Sequence, residues 1–140
     1  MTSKILSRCA RGGTSVEFAL VFPIFLVLAA GCMEYCRVLW MTQSLNAVAF
    51  STARCATYGT GVSSGTNCAN SAATQSYAVA LAARYGITII SSGVTSASNQ
   101  TCRGNTGSVK VVVQTTFNSP FAGMLNTFPA TLSGTGCFKS

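Results

Sequence analysis

Apolar and polar positions are distributed unevenly along this chain. From Phe18 to Met33 there is no charged and no hydroxyl-bearing side chain. Val16 and the Val38–Met41 stretch extend the run on either side, and Glu17 and Glu34 stand near its two ends. A helix rises about 1.5 Å per residue, and a bilayer core of about 30 Å takes ~20 apolar residues. The run therefore predicts a membrane-spanning helix over residues 16–38. Beyond it the apolar positions fall to a three–four spacing, Val38, Met41, Leu45, Val48, Thr52 and Cys55, with Gln43, Asn46 and Arg54 off the stripe. One continuous helix over residues 13–57, about 67 Å long, is expected. Thr14 or Ser15 would cap it, Glu17 would sit in its first turn, and Pro23 would kink or loosen it. The outer stripe is expected to pack on the chain's own head; packing on neighbouring subunits is the alternative.

The remaining chain, residues 58–140, reads as a small head. Tyr58 to Thr66 is a Gly/Ser loop. Asn67 or Asn70 caps a second helix that runs to about Tyr85 and stops at Gly86. Ile87 to Ile90 (ITII) is strand-like, and Ser91 to Gly107 reads as a polar loop. Ser108 to Phe117 (SVKVVVQTTF) is the clearest strand; Asn118 to Asn126 is a loop, and Thr127 to Lys139 a last, broken strand. The expected class is α+β: a long N-terminal helix, partly transmembrane, then one helix on two to three antiparallel strands. No internal repeat is present.

Composition narrows the function. The chain has 140 residues with 9 Lys/Arg, 2 acidic residues and no His, giving +7, yet only 8% of residues are charged. Outside residues 1–12 the cations are scattered, with no basic stripe to follow a phosphate backbone, so nucleic acid is not an expected partner. Both carboxylates flank the apolar run and no imidazole exists, which leaves general acid–base and triad chemistry without its usual groups. The chain reads as a non-enzyme with no cofactor and no metal. Seven cysteines need an explanation. Cys9 lies in the basic leader, and Cys32 and Cys36 share a helix face. Cys55, Cys68, Cys102 and Cys137 lie in or at the edge of the head and read as two disulfides in an oxidising compartment. A zinc site is the competitor, but the spacings are wide and hold no CxxC pair. The favoured bridges are Cys55–Cys68 and Cys102–Cys137, because each closes a local loop.

Residues 1–12 are short and basic (Lys4, Arg8, Arg11) with no acid. Under the positive-inside rule they stay in the cytoplasm and the head lies outside. No small-residue cleavage signal closes the apolar run, so the leader does not read as a secretory signal peptide. Gly12, Val16-Glu17-Phe18, the apolar run, Glu34-Tyr35-Cys36-Arg37 and the Gln43–Arg54 helix together resemble the TadE-like proteins, pilin-like subunits of the tight-adherence (Flp, type IVb) pilus system. The likeness covers roughly residues 8–57, with a weaker likeness from Val109 to Lys139; the extra glycine and the cysteine-rich head depart from the pattern.

The resemblance implies a structural pilin-like precursor of the bacterial inner membrane, with a cytoplasmic N-terminus and a periplasmic head. The leader, residues 1–12, would be removed by a membrane-embedded prepilin peptidase that cuts between Gly12 and Gly13, making Glu17 the fifth residue of the mature chain. Loss of Lys4, Arg8 and Arg11 takes the side-chain charge from +7 to +4. Glu17, with Phe18 beside it, would set the register between subunits by pairing with the new α-ammonium of a neighbour; the alternative is a solvated helix-start glutamate. Pro23, Gly31, Glu34 and Arg37 fall on the helix used for packing, where Glu34 and Arg37 can also pair locally. Other pilin-like subunits and an inner-membrane assembly platform would be its partners, and a minor subunit fits better than a major one. An uncleaved single-pass binding protein of the envelope is the alternative. A secretion-system pseudopilin is disfavoured, because the G-F-T-L-x-E pattern is absent.

Overall fold

A computed structural model describes residues 3–59, 61, 67–102, 104–119 and 130–139, with side chains from residue 15 onward. Helix α1 spans Ser3–Tyr58, 56 residues, and Pro23 lies inside it. It begins within the basic leader, not at Gly13, because no proline or other breaker interrupts the leader and only Gly12 and Gly13 weaken it. Helix α2 spans Ser71–Arg84, a single 3-10 turn covers Ser91–Gly93, and three strands follow: β1 Val94–Cys102, β2 Asn105–Thr116 and β3 Thr131–Lys139. The strands form one antiparallel sheet in the order β1-β2-β3. The architecture is α+β. The chain divides into two units, Met1–Arg37 and Val38–Ser140, so the last part of α1 belongs with the head.

In the second unit the three–four stripe of α1 faces the core. Leu45, Val48, Thr52 and Cys55 are fully or almost fully buried, and Val38 and Met41 pack against the core's margin. Burying a Leu or Val side chain contributes roughly 1.5–3 kcal/mol. The sheet answers with Val111 and Val113 from β2 and Leu132 from β3. Helix α2 adds Ala78 and Ala82, small enough for a close seat. The N-cap of α2 is Asn70, whose Oδ1 accepts from the Ala73 N–H at 2.7 Å. Asn67 makes a separate local turn by accepting from the Ala69 N–H. Gly86, at φ 71°, takes the left-handed conformation that ends the helix.

Two expectations for the head are corrected. Ile87–Ile90 forms no ladder. Its period-two burial is real, with Ile87 and Ile89 in the core and Ile90 exposed, but it is an unpaired extended link into the 3-10 turn. The polar stretch read as a loop contains β1. Of its nine residues only Val94 and Cys102 are buried, so no apolar alternation marks it. Pairing with β2, from Val94↔Val113 to Cys102↔Asn105, makes it a strand. The register shifts twice, on either side of Gln100, and Asn99 at φ 56° marks the irregularity. The part of the last expected strand at 127–129, and most of the loop before it, lie outside the described residues.

Strand β3 meets α1 backbone to backbone. Gly134 and Gly136 share the inward face, and a Cβ on either would collide with the main chain of α1, at Leu45–Asn46 and at Ala49–Phe50. Asn46 Oδ1 accepts the Thr135 N–H at 3.1 Å, so the outward donor of this edge strand is satisfied by the helix. Two disulfides close the head. Cys55–Cys68 ties the end of α1 to the approach to α2, and Cys102–Cys137 ties the end of β1 to β3.

Two outcomes are expected from chemical unfolding of the full chain in detergent, followed by circular dichroism. Gly136→Val should destabilise by about 3 kcal/mol through overpacking, while Thr135→Val, on the exposed side, should change stability by no more than about 0.5 kcal/mol. From loop length alone, opening Cys55–Cys68 (separation 13) should cost about 3 kcal/mol and opening Cys102–Cys137 (separation 35) about 4 kcal/mol.

Candidate functional site: the N-terminal helix

In the first unit the apolar side chains point outward on every side of α1. Val16, Phe18, Leu20, Val21, Phe22, Ile24, Phe25, Leu26, Val27 and Leu28 are all exposed. The helix from Ser15 to Tyr58 is long and apolar enough to cross a membrane, and none of its most apolar stretch is buried within the chain. This separates it from a core helix of a water-soluble domain, whose apolar stripe is covered by its own fold.

Gly12 and Gly13 lie in α1, and Glu17 follows one turn later, exposed. Among the described residues Glu17 makes no ion pair. Phe18 stacks on Phe22 one turn on, with ring centroids 5.2 Å apart. Pro23 has no N–H to give to the carbonyl four residues back, yet the helix continues through it. Gly31 leaves open space where a side chain would stand. The structure does not gather these positions into a pocket; they are strung along one helix, as a packing surface would be.

Glu34 and Arg37 form the one ion pair among the described residues. Arg37 Nη1 donates to Glu34 Oε1 at 2.9 Å across three helix positions. The pair is asymmetric: the Glu34 side chain is 3% exposed and that of Arg37 52%. Glu34 Oε2 is buried without a hydrogen-bond partner among the described residues. A desolvated carboxylate depends on its cation far more than a surface one does. Cys32 and Cys36 are free thiols and exposed. The four remaining described cysteines are oxidised in pairs, which excludes them as a zinc set.

Positions that the sequence reading passed over are Asn46, Gly134 and Gly136. Asn46 appears in the pattern only as a polar residue off the stripe. The glycines had a visible signal: spaced two apart in a strand, they strip one face of side chains, which marks a close backbone approach. Among the described residues the head also has an open cleft, lined by Thr88, Ile90, Ser92, Gln114, Thr116 and Thr131 with their neighbours. It contains hydroxyl and amide groups but no charge.

Residues 12–54 match the family model for TadE-like protein. The matched segment takes in Gly12 and Glu17, the whole exposed apolar run, the Glu34–Arg37 pair and most of the stripe that seats α1 in the head. Over this segment, about a third of the chain, the sequence is similar to TadE-like proteins. No curated protein and no solved structure matches.

A double-mutant cycle tests the asymmetric pair. Arg37→Ala should destabilise the full chain in detergent by about 1–3 kcal/mol, and Glu34→Gln should make the same arginine change milder, with a coupling of about 1–2 kcal/mol in unfolding measurements. A coupling near zero would mean that Glu34 is solvated.

Proposed function

We propose that this chain is a pilin-like precursor of the tight-adherence pilus, anchored by the apolar part of α1 in the inner membrane with its head in the periplasm. The observation that carries this reading is the coincidence of the TadE-like segment with an apolar helix left bare by the chain's own fold. Such a helix has two stable environments, a bilayer and a bundle of like helices, and a pilin passes from one to the other. The two head disulfides fit an oxidising compartment outside the cytoplasm.

Processing falls between Gly12 and Gly13. An aspartyl peptidase binds its substrate extended, so the bond must leave the helix before it is cut. Glycine is about 1 kcal/mol less favourable than alanine in a helix interior, so two in succession lower the cost of unwinding there. Cleavage frees an α-ammonium at Gly13 one turn before Glu17. The exposed carboxylate, with no ion-pair partner among the described residues, is then available to the ammonium of a neighbouring subunit and sets the axial register. The mature chain serves in pilus assembly, adhesion or the secretion apparatus as a minor subunit, in contact with the assembly platform and other pilin-like subunits.

Intact-mass measurement and N-terminal sequencing of the protein from its native membrane test this directly. The expected mature chain starts at Gly13, and Glu17→Ala is expected to be cut normally but to fail in assembly. A chain that keeps Met1 or Thr2 in cells with an active prepilin peptidase would favour the uncleaved envelope-anchored binding protein.

A further inference from the structure

We propose that the open cleft in the head is a binding site for an uncharged saccharide. The cleft has a volume of about 470 Å³, inside the ~300–1,000 Å³ of sites that hold a small organic molecule. It lies where the β1–β2 ladder ends. Strand β1 begins at Val94, opposite Val113, while β2 runs on through Gln114 to Thr116 laddered only with β3. The extended link through Thr88 and Ile90 and the 3-10 turn after it form the facing wall. Gly93 seats that turn directly on β2, since a Cβ there would stand 2.6 Å from the Gln114 carbonyl oxygen. The site lies wholly within the second unit and does not depend on how the apolar part of α1 is housed.

The lining decides the ligand class. Thr116 and Thr131 stand opposite each other across the β2–β3 ladder, and Gln114 is two residues along β2 on the same face. Thr88 and Ser92 add hydroxyls from the other wall. In the helices, the hydroxyls of Thr42, Thr52 and Thr74 donate to main-chain carbonyls one turn back. The hydroxyls of Thr88, Ser92, Thr116 and Thr131 and the Gln114 amide make no hydrogen bond among the described residues, and all five side chains are exposed. Hydroxyls and an amide both donate and accept, which suits a ligand whose own groups are hydroxyls. Among the described residues no charged side chain lines the cleft, so nothing there holds an ionised ligand. Ile90, 69% exposed, supplies one apolar surface, the complement of the C–H face of a sugar ring. The main chain argues against a peptide strand. The Thr88 carbonyl already accepts the Thr115 hydroxyl at 3.0 Å, and the Ile90 carbonyl accepts the Gly93 N–H at 2.9 Å. The N–H groups of Thr88 and Ile90 have no hydrogen-bond partner among the described residues. An added strand needs N–H and C=O groups in alternation, and at these two residues the carbonyls are engaged. A sugar hydroxyl can accept from such an N–H and donate to a neighbouring side-chain oxygen.

The test uses the full chain in phosphatidylcholine nanodiscs, free of sugar-based detergent, and saturation-transfer NMR at millimolar probe concentration. The probes are neutral oligosaccharides of glucose, galactose, mannose and N-acetylglucosamine, an oligogalacturonate as the anionic counterpart, and a short Val/Thr peptide. Binding of a neutral oligosaccharide is expected. The double variant Thr116→Val/Thr131→Val should weaken it about tenfold, the loss of two neutral hydrogen bonds, and Gln114→Leu should weaken it too. Thr95→Val, exposed on β1 outside the cleft, should leave it unchanged. All four positions are exposed, so circular dichroism and the unfolding midpoint should match those of the parent chain. The saccharide site is overturned if no neutral oligosaccharide binds, or if the double variant binds as tightly as the parent. Binding of the oligogalacturonate or the peptide alone overturns the ligand class. Each of these failures leaves the pilin-like reading intact, because N-terminal sequencing tests that separately.

Discussion

The head depends on one close approach, that of strand β3 to the backbone of α1. Gly134 and Gly136 put no side chain between the two, and the Asn46 amide takes the Thr135 N–H. Glycine weakens a strand by conformational entropy and by the missing side-chain contacts, so a pair of them on one face is costly unless something else gains. The gain is position. With the main chains locked together at Leu45–Asn46 and Ala49–Phe50, the side chains of Leu45 and Val48 join one buried cluster with Val111, Val113 and Leu132. The same contact covers β3, whose outer edge would otherwise offer unpaired backbone groups.

The two units follow opposite solvent rules along one uninterrupted helix. From Val38 on, α1 is amphipathic and its apolar stripe is satisfied within the chain. Before that its large apolar side chains, from Val16 to Leu28, are exposed on every side of the helix. Apolar surface left in water costs roughly 25 cal/mol per Å². A helix of this kind is stable where hydrocarbon or other helices surround it, which is the physical content of the pilin-like reading. Glu34 and Arg37 close the apolar unit with a pair that neutralises the buried carboxylate.

The cysteines divide along the same boundary. Cys55, Cys68, Cys102 and Cys137 are spent on two internal bridges that staple a head with a small core, while Cys32 and Cys36 remain exposed thiols on the apolar helix. A small domain with a two-layer core gains most from such staples, because they reduce the entropy of the unfolded chain. The free pair has no comparable role inside one copy.

What the amino-acid order determined is what rests on periodicity and local chemistry. The span from Phe18 to Met33, the stripe from Val38 to Cys55, the α2 helix between Asn70 and Gly86, and β2 could all be read directly, since each is fixed by near neighbours. Local loop closure and the structure also arrive at the same cysteine pairs. Tertiary structure decided the rest. Strand β1 exists because β2 offers it a ladder, not because its own residues alternate, whereas Ile87–Ile90 alternates without a ladder: β2 reaches it through a side chain, the Thr115 hydroxyl donating to the Thr88 carbonyl at 3.0 Å. The roles of Gly134, Gly136 and Asn46 appear only where β3 and α1, far apart in the chain, come together. Contacts of that kind are set by packing between distant segments, and the local pattern records them only as missing side chains or polar residues off a stripe.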